Sequence, residues 1–472
     1  MSPTHRFEAL AALVVLALAA VIGLVIVFGE PRPLAIVDAR PTDGTAGVSI
    51  TTQIMVVFSR PVDEASVRAA LSVEPQTEGF VSAAGRRAAF TPRTGLTADT
   101  EYTVTLGIGV RDRAGRSLPR PITLRFRTRG QALVVRTADG RLLRATLDGA
   151  TEPLAGPGIG EFAASAAGDL AYVLPAEGVL VIKPAGPGGI RRIALPKAGG
   201  LESGVYGAAT RAVEIHDLTW APGGAVLGFL APRRDGVVLP YLVHLTEAIP
   251  TVEPFGPPPR PIPGGSPLVV EALKKSLVEI VYRREAFAFT PDGRGLIVRD
   301  QNWDYVVFGF DGSRRGAFGA FLAVGNVSPR GDFVAFMDVD PADPALKRLV
   351  VAYERTGRLR SLSPPDRDSH SARFAHRTDR VVYATGEPIG PPGERRYALD
   401  VVDLATGIRR RLTHPPAGES DEGPRWAPDD TWIAFRRAPA GAPERGRVWV
   451  VPADGGTARP LATAATAARW SP

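Results

Sequence analysis

Three patterns of hydrophobic and polar positions follow one another along the chain. From Ala9 to Phe28 the residues are apolar or small without a single charge, bounded by Arg6 and Glu8 before and Glu30 and Arg32 after. A run of this length spans a bilayer core. The segment after it, "VFGEPRP", supplies no clear small-x-small cleavage site, so residues 9–28 are expected to be a retained transmembrane signal anchor behind a cytoplasmic stub at 1–8. From 33 to 128 the pattern changes to short alternating runs between turn residues, as in an antiparallel β-sandwich. Strands are expected from Ile36, Ile50, Gly85, Glu101 and Ile122. Ile54, Val56 and Phe58 alternate with Met55, Val57 and Ser59, and the apolar Val57 is expected to be covered as well. Asp63 opens "DEASVRAALSV" as a helix N-cap, with Val67 and Leu71 four apart.

From 131 to 472 a phrase recurs: an aromatic or apolar residue, a small residue and Pro, an Asp- or Gly-containing turn, then a strand ending in Phe or Tyr. It begins at Phe162, Trp220, Phe289, Val327, Phe374, Trp426 and Trp470, with intervals of 58, 69, 38, 47, 52 and 44 residues. Its signature positions are Trp220 and Pro222, then Pro291, Asp292 and Gly293, then Pro329, Trp426 and Pro428, and finally Trp470 and Pro472. Pro presets φ and Gly supplies a positive one, which makes the tight turn. Each interval accommodates four short strands. A sheet of that size cannot bury both faces alone, and radial stacking of such sheets gives a β-propeller.

The last phrase, "TAARWSP", has no strands after it. The segment "QALVVRTADGRLLRATLDGATEPLA" from Gln131 has the strands of a unit without its opening phrase. The C-terminal residues are therefore expected to supply the first strand of the sheet that begins at Gln131, closing a propeller of seven blades, with six or eight as alternatives. One insertion interrupts the spacing. The Pro-rich "PFGPPPRPIPGGSP" leads into 267–284, where Val269, Leu273, Leu277, Ile280 and Val281 fall at helical spacing and Glu271 and Lys275 form an i,i+4 pair. An amphipathic helix against the propeller flank is expected, with partner docking as the alternative.

The second segment resembles the bacterial Ig-like domain of the SbsA type, through "FSRPVDEASV", "FTPRTGLTADTEYTVTLGIGVRDRAGRSL" and "FRT". That resemblance implies an extracytoplasmic spacer or adhesion module. The repeats, above all "WAPDDTWIAF" and "FTPDGRGLIV", resemble the TolB-type propeller and more loosely the WD-repeat family. The units at Phe162 and Phe374 lack the Pro.

Composition narrows the function. Cysteine is absent, which excludes disulfides, thiolate metal sites and a cysteine nucleophile. The net charge is +7, but Arg is scattered, with no run longer than Arg409-Arg410-Arg411. A solvated basic surface is expected rather than a nucleic-acid partner, with an anionic polymer or membrane surface as the alternative. No Gly-x-Ser-x-Gly elbow or His-Glu-x-x-His pair occurs, and "GPGIG" at Gly156 has no helix after it for phosphate binding. Asp338, Asp340 and Asp343 have the spacing of calcium ligands but lack the Gly turn and closing Glu of an EF-hand, so they are weak metal candidates in an expected solvated loop. "EIHD" at Glu214–Asp217 would matter only if several acids converged near it. Asp112 is expected to brace a turn, with metal ligation as the alternative.

The sequence therefore points to an all-β, single-pass membrane protein with its bulk outside the cytoplasm. Its propeller is expected to bind a protein or peptide ligand as a monomer, without cofactor or catalytic residue. A cell-surface glycan ligand, or a metal-dependent hydrolase of lactonase type, is the alternative.

Overall fold

The computed structural model describes residues 12–21, 33–50, 52–93, 95–165, 167–185, 188–195, 215–232, 238–247, 250, 252–255, 287–300, 304–329, 331–341, 343, 346–353, 357–365, 367–390, 394–440, 442, 445–461 and 465–471. The helix expected at 267–284, Glu214 and Pro472 lie outside them. Of the expected span 9–28, residues 12–21 are described; they are helical with exposed side chains. Among the described residues no helix is long and apolar enough to cross a membrane. Two compact units emerge: Met1–Val48 with Thr52–Arg93 and Glu101–Arg127, and Ser49–Thr51 with Thr94–Thr100 and Thr128–Pro472.

The smaller unit holds, among the described residues, two four-stranded sheets. One has the order Ile36–Arg40, Ile54–Phe58, Arg87–Pro92, Gly79–Ala84; the other is Thr45–Val48, Ile122–Thr128, Glu101–Leu106, Leu71–Glu74. Ile54, Val56 and Phe58 face the core, while Val57, expected to be covered, is partly exposed. Leu34, Val56, Phe58, Val67, Leu106 and Leu118 form that core. Asp63 caps the helix Glu64–Ala70 by accepting from the Ser66 N–H at 2.8 Å. The helix ends one residue before Leu71, whose extended backbone opens a strand. Tyr102 is buried and stacks on Phe126 with ring centroids 5.6 Å apart.

The larger unit contains, among the described residues, seven four-stranded antiparallel sheets. The first joins Ala132–Thr137, Leu142–Thr146 and Thr151–Ala155 to the C-terminal strand Ala465–Ser471. In that sheet Ser471 pairs with Ala132, Trp470 with Leu133 and Arg469 with Val134. The first strands of the second to seventh sheets are Phe162–Ala164, His216–Trp220, Phe287–Phe289, Ala323–Val327, Asp368–Phe374 and Glu419–Trp426. The phrases at Trp220, Phe289, Val327, Phe374 and Trp426 each begin on the last residue of the first strand and carry the turn into the second.

Alternation within the strands places apolar residues on both faces of each sheet, and neighbouring sheets share clusters. Val134 and Leu142 meet Phe162 and Leu170; Leu180 meets Leu227 and Phe229; Leu230 and Leu242 meet Phe289 and Leu296. Ile297 and Tyr305 meet Val324 and Phe336, Leu349 and Val351 meet Val381 and Tyr383, and Leu399 and Val401 meet Ile433 and Phe435. Val448 and Val450 of the seventh sheet then meet Leu133 and Trp470 of the first. Fully burying each such Leu, Val or Phe contributes about 1.5–3 kcal/mol.

Candidate functional site

The repeat signature binds each sheet to its neighbour. The Trp426 indole N–H donates to the carbonyl of Arg373 in the preceding sheet at 2.9 Å, and Trp470 reaches the carbonyl of Arg425 at 2.9 Å. Trp220 makes the same contact to Ala163 at 3.4 Å. The turns also lean on one another. A Cβ on Gly293, at φ +65°, would lie 2.2 Å from the Pro222 carbonyl oxygen. Asp430 takes a positive φ of 63° in the place glycine holds elsewhere. Its carboxylate accepts from the backbone N–H groups of His376, Arg377 and Thr378 at 2.7, 2.7 and 3.2 Å. It thereby braces the turn of the Phe374 unit, which lacks the Pro.

Among the described residues, the acids singled out in the sequence form no metal-holding group. Asp338 is paired with Arg348 at 2.9 Å, and the backbone of Asp340 and Asp343 closes the loop through Leu346, at 2.9 Å in each case. Asp112 braces its turn by accepting from the N–H groups of Ala114 and Arg116, each at 2.9 Å. Among the described residues no group of three or more His, Asp or Glu side chains is placed to hold a metal ion.

A cleft of about 770 Å³ instead opens on the sixth sheet. That sheet runs Asp368–Phe374, Arg380–Pro388, Arg395–Asp403 and Arg409–Arg411, and its register sets the lining. Thr385 lies opposite Ala398, Glu387 opposite Arg396, and Asp400 opposite both Tyr383 and Arg411. Directly opposed residues share a face, so Tyr383, Thr385, Glu387, Arg396, Asp400, Arg409 and Arg411 stand on one side. Near Tyr383 and Val402 that side is packed against the fifth sheet. Around Thr385 it lines the cleft, to which the inter-sheet connections add Pro364, Pro365, Arg367, His414 and Pro415.

Three guanidinium groups from three segments converge on one carboxylate. Arg367 and Arg411 each approach Glu387 Oε1 at 3.2 Å, and Arg396 approaches Oε2 at 3.3 Å. Asp400, 4% exposed, fixes Arg411 through Nε at 2.5 Å and accepts from Thr385 Oγ1 at 2.9 Å. Burial raises the pKa of Glu387, but Arg411, Arg396 and Arg367 outweigh it and hold the carboxyl below its ordinary value. Burial, followed by the Asp400 charge, pushes the Tyr383 hydroxyl well above its usual range and keeps it neutral. Four arginines against two carboxylates leave the cleft with a net positive charge.

The next sheet offers a contrast. Arg437 and Asp421 form a bidentate pair at 2.6 and 2.8 Å, 8% and 0% exposed, with Arg437 lying 4.2 Å over the Trp449 ring. That pair is closed and structural. Arg367, Arg396 and Arg411 keep 33%, 34% and 30% of their side chains exposed and each gives Glu387 a single contact. A guanidinium carries five N–H donors, so these groups retain capacity for an anion entering from solvent. Sequence reasoning treated Arg409-Arg410-Arg411 as solvated surface. The available signal was the placing of Thr385 and Glu387, two apart, and Arg396 and Asp400, four apart, on one face of two nine-residue strands whose other face carries Val382, Ala384, Leu399 and Val401.

Residues 30–128 match the bacterial Ig-like domain family. No curated protein matches the chain. Among solved structures the chain is similar to TolB from Acinetobacter baumannii, at 13% identity over 93% of this chain and 99% of that one with a TM-score of 0.41. It is also similar to the β-propeller domain of the Trilobed protease from Pyrococcus furiosus, at 11% identity over 77% and 93% with a TM-score of 0.45. A putative TolB from Agrobacterium tumefaciens aligns at 12% identity over 70% and 88% with a TM-score of 0.36. The family match thus assigns an Ig-like domain to residues 30–128, ahead of the seven four-stranded sheets.

Proposed function

We propose that this chain is a membrane-anchored extracytoplasmic binding protein that holds an acidic segment of a protein or peptide ligand in the arginine cleft of its propeller. The uncharged run 9–28 supports the anchor, and the Ig-like unit acts as the spacer that carries the propeller. The propeller is read as a closed ring of seven blades acting as a monomer. Seven sheets, an apolar cluster between each neighbouring pair and the pairing of Trp470 with Leu133 support the ring.

The observation that carries the ligand assignment is the convergence of Arg367, Arg396 and Arg411, with Arg409 beside them, in a cleft of about 770 Å³. This volume falls in the range of ligand sites. Guanidinium forks recognise carboxylates in preference to neutral groups. Pro364, Pro365 and Pro415 provide an apolar rim, and Ile389, two residues beyond Glu387, is exposed. A peptide that mixes acidic and apolar side chains satisfies both surfaces. Binding of a fluorescent oligoglutamate peptide to the full chain, with oligoglutamine as the neutral control, tests the assignment. Saturable binding of the acidic peptide alone, weakened about tenfold or more by Arg396→Glu, is the expected result. Equal binding of both peptides, or an Arg396→Glu variant that binds as before, overturns it. Displacement by a neutral glycan at lower concentration than by acidic peptide would move the ligand class to cell-surface polymers.

A further inference from the structure

Resting on the assignment of the cleft to an acidic segment, we propose that Glu387 is a built-in competitor for it. Its carboxylate sits in the seat that a ligand carboxylate takes, and binding exchanges one for the other. Glu387 is the penultimate residue of the strand Arg380–Pro388. Its backbone is held by pairing with Arg396, whereas its side chain remains 28% exposed and, among the described residues, is held by three ion pairs.

The three arginines, by contrast, are placed from elsewhere. Arg411 is fixed by Asp400, Arg396 is set by its strand, and Arg367 comes from the connection before the sixth sheet. They would still converge on the vacated seat. Their contacts to Glu387 are single and 3.2–3.3 Å long, the weak class of partly exposed ion pair. A buried bidentate pair such as Arg437–Asp421 could not exchange in this way. The carboxylate already in place shows which anion the three donors accommodate.

A competitor lowers the apparent affinity by the fraction of time it leaves the seat free. If Glu387 occupies the arginines about nine-tenths of the time, removing its charge tightens ligand binding about tenfold. A structural staple has the opposite signature, because its removal loosens Arg367 and weakens binding.

The test measures oligoglutamate affinity by fluorescence anisotropy on the full chain for the wild type, Glu387→Gln, Glu387→Ala and Arg396→Gln, with thermal unfolding run on each. The expected result is a roughly tenfold gain for Glu387→Gln, a similar gain for Glu387→Ala, and a loss for Arg396→Gln. If Arg396→Gln loses affinity and neither Glu387 variant gains any, the competitor is overturned while the cleft stands as the binding site. If none of the three changes affinity, both fall together. Inorganic phosphate that binds the cleft where oligoglutamate does not would replace carboxylate by phosphate chemistry and overturn the exchange proposed here.

Discussion

Replacing Trp470 by Ala removes two interactions at the junction of the first and seventh sheets. The indole is 8% exposed and packs with Leu133, Val135, Val448, Val450 and Leu461. Its N–H donates to the Arg425 carbonyl at 2.9 Å. Truncating a buried Trp to Ala costs about 3–5 kcal/mol, of which the hydrogen bond supplies about 1 kcal/mol. Trp470→Phe keeps most of the apolar contact and should cost only about 1–2 kcal/mol. Trp426, 3% exposed with the same 2.9 Å bond, should behave like Trp470. Trp220, partly exposed with a 3.4 Å bond, should lose less. Urea denaturation followed by circular dichroism measures each loss as a shift in midpoint at unchanged slope. A Trp470→Ala loss below about 1 kcal/mol, or a Trp220→Ala loss as large as that of Trp470→Ala, would refute the role assigned to the repeat tryptophans.

Three further outcomes follow from the same geometry. Asp421→Ala leaves the buried Arg437 charge with only the distant Glu419 carboxylate, 3.9 Å from its Nε, among its ion pairs and should cost about 3–5 kcal/mol in denaturation, whereas replacing both residues by Met should recover much of that loss. Gly293→Ala combines an unfavourable φ with a Cβ 2.2 Å from the Pro222 carbonyl oxygen, so it should lower stability by at least about 1 kcal/mol. Because the folded pKa of Glu387 is depressed, its contribution is present above the unfolded value and lost as pH falls through the folded one. An acid titration of stability should therefore be shallower for Glu387→Gln than for the wild type across the carboxylate range.

Much of the architecture was legible because the turn phrase repeats. Wherever Pro and Gly recur at fixed offsets, as at Pro291–Gly293, the sequence marks the turn between first and second strands. The Phe374 unit remained recognisable without its Pro, but the reason is tertiary: Asp430 of the neighbouring turn supplies the missing brace. Three strands of the Ig-like unit were not anticipated. Leu71–Glu74 was hidden by the helical spacing of Val67 and Leu71, and Gly79–Ala84 is largely exposed and carries little apolar alternation.

The cleft was the least legible feature. Its charged groups come from two strand faces, a terminal strand and an inter-sheet connection, spread from Arg367 to Arg411. One sequence shows their types but not their register. The acidic run Asp338–Asp343 stood out because its members are adjacent, yet the fold spends Asp338 on Arg348. Adjacency along the chain was a poor guide to convergence, whereas alternation along the nine-residue strands carried the information.

The most direct test of the binding role is site-specific photo-crosslinking from Pro365, on the cleft rim, in cells that produce the full chain, with the captured peptide mapped by mass spectrometry. Capture of an acidic segment that is lost in the Arg396→Glu variant is the predicted result. Capture of the same peptide regardless of Arg396, or of segments without acidic residues, would contradict the account.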